Sequence, residues 1–454
     1  MKTTRLLAVA IMQVVLAASV IAPAAEIRQA TYNRWPALSM SNGIVELHVT
    51  PQLGGRVIQL RLGSHEYLWF NKSLAGQNPP PGGVGPKGAW INWGGDKLWT
   101  APQGWDGDHQ WPGPPNAILD GSPHDAKILS STGPTVALQL TSRDDPQTGV
   151  RMSRVIRLID GTARVSFDST MTNSDTRFRR WGIWQVTQIS AEDRSGKAAY
   201  NKDIRCYAPI NPASRFERGY TELYGLVNNP SFRADQRTGL LTAHYQRLVG
   251  KVGLDSSAGW CAIVDGAAGY VFVERFAFYP GKAYPDNSSV EFWMSGVGQI
   301  VCGKEIVDLK DDPEETPCLV ESEVLAPFAE LQPGQSASFR LEWCAARIGG
   351  NFPVLHCTAY GVVCQPLLAS SVHGKFRLTG QFAFFQPSAA QIVYRDAAGK
   401  TCGSERLGLP LGPDSPLALN HEPSAPAGAT TASLLILDAT GNPLGELASV
   451  TLPR

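Results

Sequence analysis

The chain has no excess of either charge: 40 Lys and Arg stand against 40 Asp and Glu. A dedicated nucleic-acid binder carries a basic surplus, so that partner class is not expected. There is no Gly-x-Ser-x-Gly elbow, no His-Glu-x-x-His pair and no phosphate loop, which removes the common hydrolase, zinc-protease and nucleotide readings. Cys-x-x-Cys is absent, and Cys and His do not cluster, so neither a metal nor a cofactor is expected. Beyond the first two dozen residues no apolar run is long enough to cross a bilayer, so no membrane span is expected. Helical periodicity is scarce, and no internal repeat or low-complexity tract is found.

What is present starts with a leader. Lys2 and Arg5 precede the apolar run LLAVAIMQVVLAASVIA, and Ala22-Pro23-Ala24 is a small-x-small site. This pattern predicts a signal peptide over residues 1–24 and a periplasmic or secreted protein. All eight cysteines lie between Cys206 and Cys402, and an even number in an exported chain favours disulfides. Connectivity is not readable from the spacing; Cys302 with Cys318 and Cys357 with Cys364 are two local options.

Gly and Pro are abundant, at 45 and 33, and short alternating runs recur between turn residues. Val45, Leu47 and Val49 share one face, as do Val136, Leu138 and Leu140. WGIWQVTQIS, GWCAIVD, GYVFVERFAF, VEFWMSG, CLVESEVLAPF and SASFRLEW continue the series. So many strands without helical crossovers predict an all-β antiparallel fold. Near Ile348-Gly349-Gly350 the text turns small and apolar. The large domain is therefore expected over 25–349, and a small immunoglobulin-like β-sandwich over 350–454. The arginines Arg151, Arg154, Arg157, Arg164, Arg177, Arg179 and Arg180 are read as a solvated strand face.

Residues 72–134 are rich in Pro, Gly and Trp and poor in strand runs, which predicts an ordered, elaborated loop region. Five of the 12 tryptophans crowd into WINWGGDKLWTAPQGWDGDHQW: Trp90, Trp93, Trp99, Trp105 and Trp111. Flat indole faces mixed with Asp96, Lys97, Asp106, Asp108 and His109 suit a sugar ring, which offers C–H bonds to stack and hydroxyls to bind. The plain alternative is core aromatics of a structural β protein of the cell envelope.

Three segments resemble galactose-mutarotase-like proteins. NGIVELHVTPQLGGRVIQLRLGSHEYLW resembles their opening strands, joined through a Gly-Gly-Arg turn. CLVESEVLAPFAELQPGQSASFRLEW resembles their closing segment. NWGGDKLWTAPQGW resembles an uncharacterised bacterial family of that superfamily. The resemblance covers roughly 35–349 and implies a β-supersandwich with a carbohydrate cleft. A saccharide ligand is then the expected partner, with Arg56, Trp93, Asp96, Lys97, Trp99, Gln103, Trp105 and Gln185 as contacts.

The resemblance also implies mutarotation, which needs a general acid and a general base. Related enzymes use a His and a Glu, but Gln185 stands where the histidine is expected, and Gln binds hydroxyls without moving protons. Other acid or base candidates are His109, His124, Glu274 and Glu291. Strand alternation puts Glu274 on an aromatic face, where burial should raise its pKa. Glu291 shares a face with Trp293, and Glu321 and Glu323 share another. The primary expectation is an exported carbohydrate-binding protein. An aldose epimerase or other saccharide-active enzyme is the alternative.

Overall fold

A computed structural model describes residues 24–372 and 375–453. The leader expected over residues 1–24 lies outside them up to residue 23. Among the described residues the helices are three short 3-10 turns, and the rest of the regular structure is antiparallel sheet. The alternation read from the sequence accounts for this, because each strand has one face to bury.

Two large sheets face each other. The ten-stranded sheet runs from Phe232–Asp235 at one edge to Asp125–Ser130 at the other. The seven-stranded sheet runs through Thr221–Gly225, Gly250–Leu254, Val290–Met294, Leu319–Leu325 and Arg179–Ser190. Asp96–Ala101 also pairs with Arg179–Ser190, placing Thr187 opposite Asp96 and Trp184 opposite Trp99. A six-stranded sheet built from residues 25–66 and Thr132–Gly133 packs onto the same core. This is a β-supersandwich.

The last eight strands form two four-stranded sheets around a separate core that includes Phe382, Ile392, Leu434 and Ile436. This small β-sandwich docks behind the ten-stranded sheet. Val264, Val271 and Val273 meet Val354, Ala383 and Phe385 in one apolar cluster. The face that Phe272 and Glu274 present is the opposite one, so the C-terminal sandwich stays clear of the space between the sheets.

Residues 72–134 are less loop-like than their composition implies. Asp96–Ala101 is a full strand, buried at every position. Its two covered faces erase the apolar–polar alternation that would have marked it. Two double-glycine turns flank the join. Gly54 and Gly55 have φ of 69° and 60°, and Gly94 and Gly95 have 92° and 69°. A Cβ on Gly54 would stand 2.3 Å from the Asp120 carbonyl oxygen, and one on Gly95 2.4 Å from that of Val57. Both the backbone conformation and the close approach therefore require glycine.

Buried ion pairs hold these turns together. Arg56, 1% exposed, donates to the carbonyls of Leu53, Gly94 and Asp120 and to the Asp120 carboxylate. Arg154 donates to both oxygens of Asp96 and to the Gly55 carbonyl. Asp96 also accepts the Val57 N–H at 2.6 Å. The reading of the arginines as a solvated face therefore fails at Arg154, which shares the core face with Met152 and Ile156. The others pair with carboxylates nearer the surface, as Arg151 does with Asp144 and Arg164 with Glu342.

The expected disulfides are absent, and all eight cysteines are free thiols. Cys318 accepts an N–H from Arg247 and donates to Ala199, while Cys357 donates to Thr358. Five of the eight are buried, and at Cys206, Cys261, Cys344, Cys357 and Cys364 burial raises the thiol pKa.

Replacing Arg56 with Met strands the Asp120 carboxylate in the interior. We expect a loss of about 3–5 kcal/mol, the usual result of breaking a buried pair on one side. Urea unfolding measures it, and a loss under about 1 kcal/mol would mean that the pair does not hold the turns.

Candidate functional site

The outward face of the seven-stranded sheet is concave and lined with large polar and aromatic side chains. Strand alternation selects them. On Arg179–Ser190 the outward positions include Trp184, Val186 and Gln188; on Leu319–Leu325 Glu323 stands opposite Val186 and Glu321 opposite Gln188. Glu291 and Trp293 pair with Glu323 and Glu321 in turn, and Lys251 pairs with Trp293. Tyr224 lies across from Lys251, and on the far side Lys97 and Trp99 complete the row.

These residues floor a cleft of about 320 Å³. Its walls come from two other places. Trp90, Gln103 and Trp105 belong to the tryptophan-rich stretch. Ile300, Cys302 and Leu309 belong to the hairpin of Gly298–Cys302 and Glu305–Leu309. The walls meet where Trp105 stands over the hairpin turn at Gly303. Trp90 and Trp105 are the exposed tryptophans, at 36% and 41%. Trp90 is held by its indole N–H, which donates to Asp120 at 2.6 Å, so the Arg56–Asp120 pair extends to the cleft rim.

The floor is a ladder of charges. Lys97 Nζ lies 2.9 Å from Glu321, which also accepts from Gln188 at 2.7 Å. Lys251 Nζ lies 2.6 Å from Glu291 and 2.9 Å from Glu323. Each ammonium also sits over an indole: Lys97 is 4.7 Å from the Trp99 ring centre, and Lys251 is 4.4 Å from that of Trp184. Burial pulls the Lys251 ammonium down, but Glu291 and then Glu323 outweigh it and hold its pKa above the ordinary lysine range. Burial, opposed by Lys251, lifts both of these carboxyls above the ordinary carboxylate range.

Of the residues expected from the sequence, Trp99, Gln103 and Trp105 line the cleft, and Lys97 joins its floor through Glu321. Glu291 is on the floor side but fully buried against Lys251. The others lie elsewhere. Arg56 is enclosed in the turn network. Trp93 packs at 6.4 Å from Trp35 in a separate apolar cluster. Asp96 and Gln185 point inward between the sheets, where the Gln185 amide donates to Asp96 at 2.7 Å. Adjacent residues on a strand face opposite ways, so Lys97 and Trp184 reach the cleft while Asp96 and Gln185 cannot.

The acid–base candidates do not assemble. Glu274 is sealed between the large sheets, accepting from Thr187 and Trp343 at 2.8 Å each and from Ser322 at 2.5 Å. Burial, offset by these donors, lifts its pKa to about 7. His109 is exposed beside Arg177 and Arg179 in a separate depression. His124 packs on Gly55, and burial, with Arg154 and Arg56 nearby, pushes its pKa down to about 3. No histidine lines the cleft among the described residues.

Sequence reasoning did not select Trp184, Gln188, Tyr224, Lys251, Trp293, Glu321 or Glu323 as contacts. The available signal was alternation of large polar and aromatic groups, as in Glu-x-Trp and Glu-x-Glu, on strands whose other face is apolar.

The family described as Domain of unknown function (DUF4380) matches residues 36–346. The chain belongs to this family. No curated protein matches the sequence. Among solved structures, similarity extends to a TPR-domain containing protein from Parabacteroides distasonis, at 14% identity and TM-score 0.46, over 72% of this chain and 49% of that one. The chain thus spans about half the length of that protein. A galactose mutarotase-like protein from Clostridium acetobutylicum is similar at 10% identity and TM-score 0.43, over 71% of this chain and 99% of that one. One from Lactobacillus casei is similar at 11% and 0.40, over 68% and 99%.

Glu274 makes a pH-dependent contribution to stability. Below pH 4.5 its carboxyl is neutral whether the chain is folded or not. Between 4.5 and about 7 only the folded protein keeps the proton. The contribution is therefore complete below that window and lost as pH rises through it, by on the order of 3 kcal/mol. Glu274→Gln cannot ionise, so its melting temperature should gain on the parent's across this window in calorimetry. A difference that stays constant with pH would contradict the assignment.

Proposed function

We propose that this protein binds a saccharide in the cleft on the outward face of its seven-stranded sheet. The observation that carries the reading is the lining: five indoles and a tyrosine around a floor of paired lysines and glutamates. Indoles stack on sugar C–H faces, and carboxylates, amides and ammoniums bind hydroxyls. At about 320 Å³ the cleft is at the small end of the range for small-molecule sites, which suits one or two sugar rings. The lining also holds buried polar atoms with no hydrogen-bond partner: Nε1 of Trp99 and Trp184 and Oε1 of Gln188. Binding is favoured over turnover, because neither candidate histidine reaches the cleft and Glu274 is sealed from it.

Export belongs to the proposal, supported by the leader pattern at residues 1–24. N-terminal sequencing of protein recovered from the periplasm or medium should begin at Ala25. An intact leader on cytoplasmic protein would contradict export.

Tryptophan fluorescence titrated with mono- and oligosaccharides tests binding. At least one should shift or quench the emission saturably. Trp105→Ala, at an exposed position, should weaken that ligand by about tenfold, roughly the worth of one good aromatic contact. No response to any sugar would overturn the reading and leave a structural β protein.

A further inference from the structure

The charges of the same cleft say more than its shape. Glu321, Glu323 and Lys251 line its floor, and Glu291 and Lys97 lie buried against them, so three carboxylates stand against two ammoniums. Lys97 is taken by Glu321. Lys251 stands between Glu291 and Glu323, so one of these two lacks a cation of its own. Nζ touches Oε2 of both residues, at 2.6 Å for Glu291 and 2.9 Å for Glu323, and Oε1 of Glu291 is buried with no hydrogen-bond partner. Glu323, 1% exposed, is the member of the pair that lines the cleft.

The mouth of the cleft has the same sign. Glu315 lines it, and Asp312, Glu314 and Glu315 are exposed and in no ion pair among the described residues. Their neighbours Asp308 and Asp311 are already matched by Lys310 and Arg247. On the opposite wall Asp106 is exposed next to Trp105. Lys87 is exposed on the approach to Trp90, and Lys304 in the hairpin turn is followed by Glu305. The chain as a whole is neutral, so this acidity is local. A cleft lined with one sign of charge concentrates ligands of the other.

We propose that the ligand is an amino sugar with a free, protonated amine, a hexosamine or a short oligomer of hexosamine units, whose ammonium joins Lys251 at Glu323 and supplies the charge that the two lysines leave unmatched. The proposal rests on the saccharide reading and adds the ligand's charge to it. An unmatched buried carboxylate is costly, so in the empty cleft the Glu291–Glu323 pair holds a proton instead. A ligand ammonium displaces that proton and gains a charge-assisted hydrogen bond with an indole face beside it. A neutral sugar gains neither, and N-acetylation of the amine removes both.

Calorimetric titration at low ionic strength and neutral pH, with glucosamine, its dimer, glucose, N-acetylglucosamine and ethanolamine, tests this. The amine-bearing sugars should bind about tenfold or more tighter than glucose and N-acetylglucosamine. Their binding should release protons, read as a buffer-dependent heat. Glu323→Gln should bring the ratio of glucosamine to glucose affinity towards one. Glu315→Gln, at the exposed mouth, should lower it less and covers the case in which the first variant fails to fold. If neutral sugars bind as tightly as amino sugars, the inference is overturned and the saccharide reading stands. If ethanolamine binds as well as glucosamine, or nothing binds, both fail.

Discussion

The structure depends on two guanidinium–carboxylate pairs that it has removed from water. Arg56 with Asp120 and Arg154 with Asp96 lie within a few residues of one another, where three sheets and a long connection converge. Desolvating four charges is unfavourable, and the mutual attraction offsets it only if the remaining donors and acceptors are used. Here they are. The guanidiniums donate to the carbonyls of Leu53, Gly55, Gly94 and Asp120, and Asp96 accepts from Val57 and Gln185. Four glycines with positive φ let the backbones come close enough. The reward is register: Asp96–Ala101 is fixed beside Arg179–Ser190, and Trp90 is fixed at the rim.

Register then decides the site. A strand sends successive side chains to opposite faces, so fixing Asp96 towards Arg154 forces Lys97 out towards Glu321. The same division separates Gln185 from Trp184 and Ser322 from Glu323. The inner face becomes a largely apolar interior with a few satisfied polar groups, Glu274 among them. The outer face becomes a charged, aromatic floor. One structural device thus produces both the core and the cleft.

The electrostatics of the floor follow from how few cations it has. Lys251 between two carboxylates leaves a charge to be matched, and burial answers by favouring a proton there. A cleft in this state is sensitive to the charge of what enters it. The indoles under Lys97 and Lys251 stabilise the ammoniums without neutralising them, so the carboxylates keep their role.

Much of this was legible in the sequence. Alternating runs in TVALQLTS and GYVFVERFAF determine strands wherever they sit, because one face must be buried. The tryptophan-rich stretch supplies both core and cleft: Trp93 and Trp111 are buried, while Trp90, Trp99 and Trp105 line the cleft. Double glycines before Arg56 and Asp96 mark turns that only glycine can make. The sequence could not reveal which faces meet. Lys97 and Glu321 are 224 residues apart, and Arg154 and Asp96 are 58 apart. Ion pairs over such separations are set by sheet order and register, which no local pattern encodes. That is why Arg56, Asp96 and Gln185 looked like ligands and became supports, and why Lys251 and Glu323 went unselected. Composition and periodicity determined that the chain is a β-sandwich protein with one tryptophan-rich segment. Only the tertiary structure decided which carboxylates face the cleft, because only there do distant strands bring their charges together.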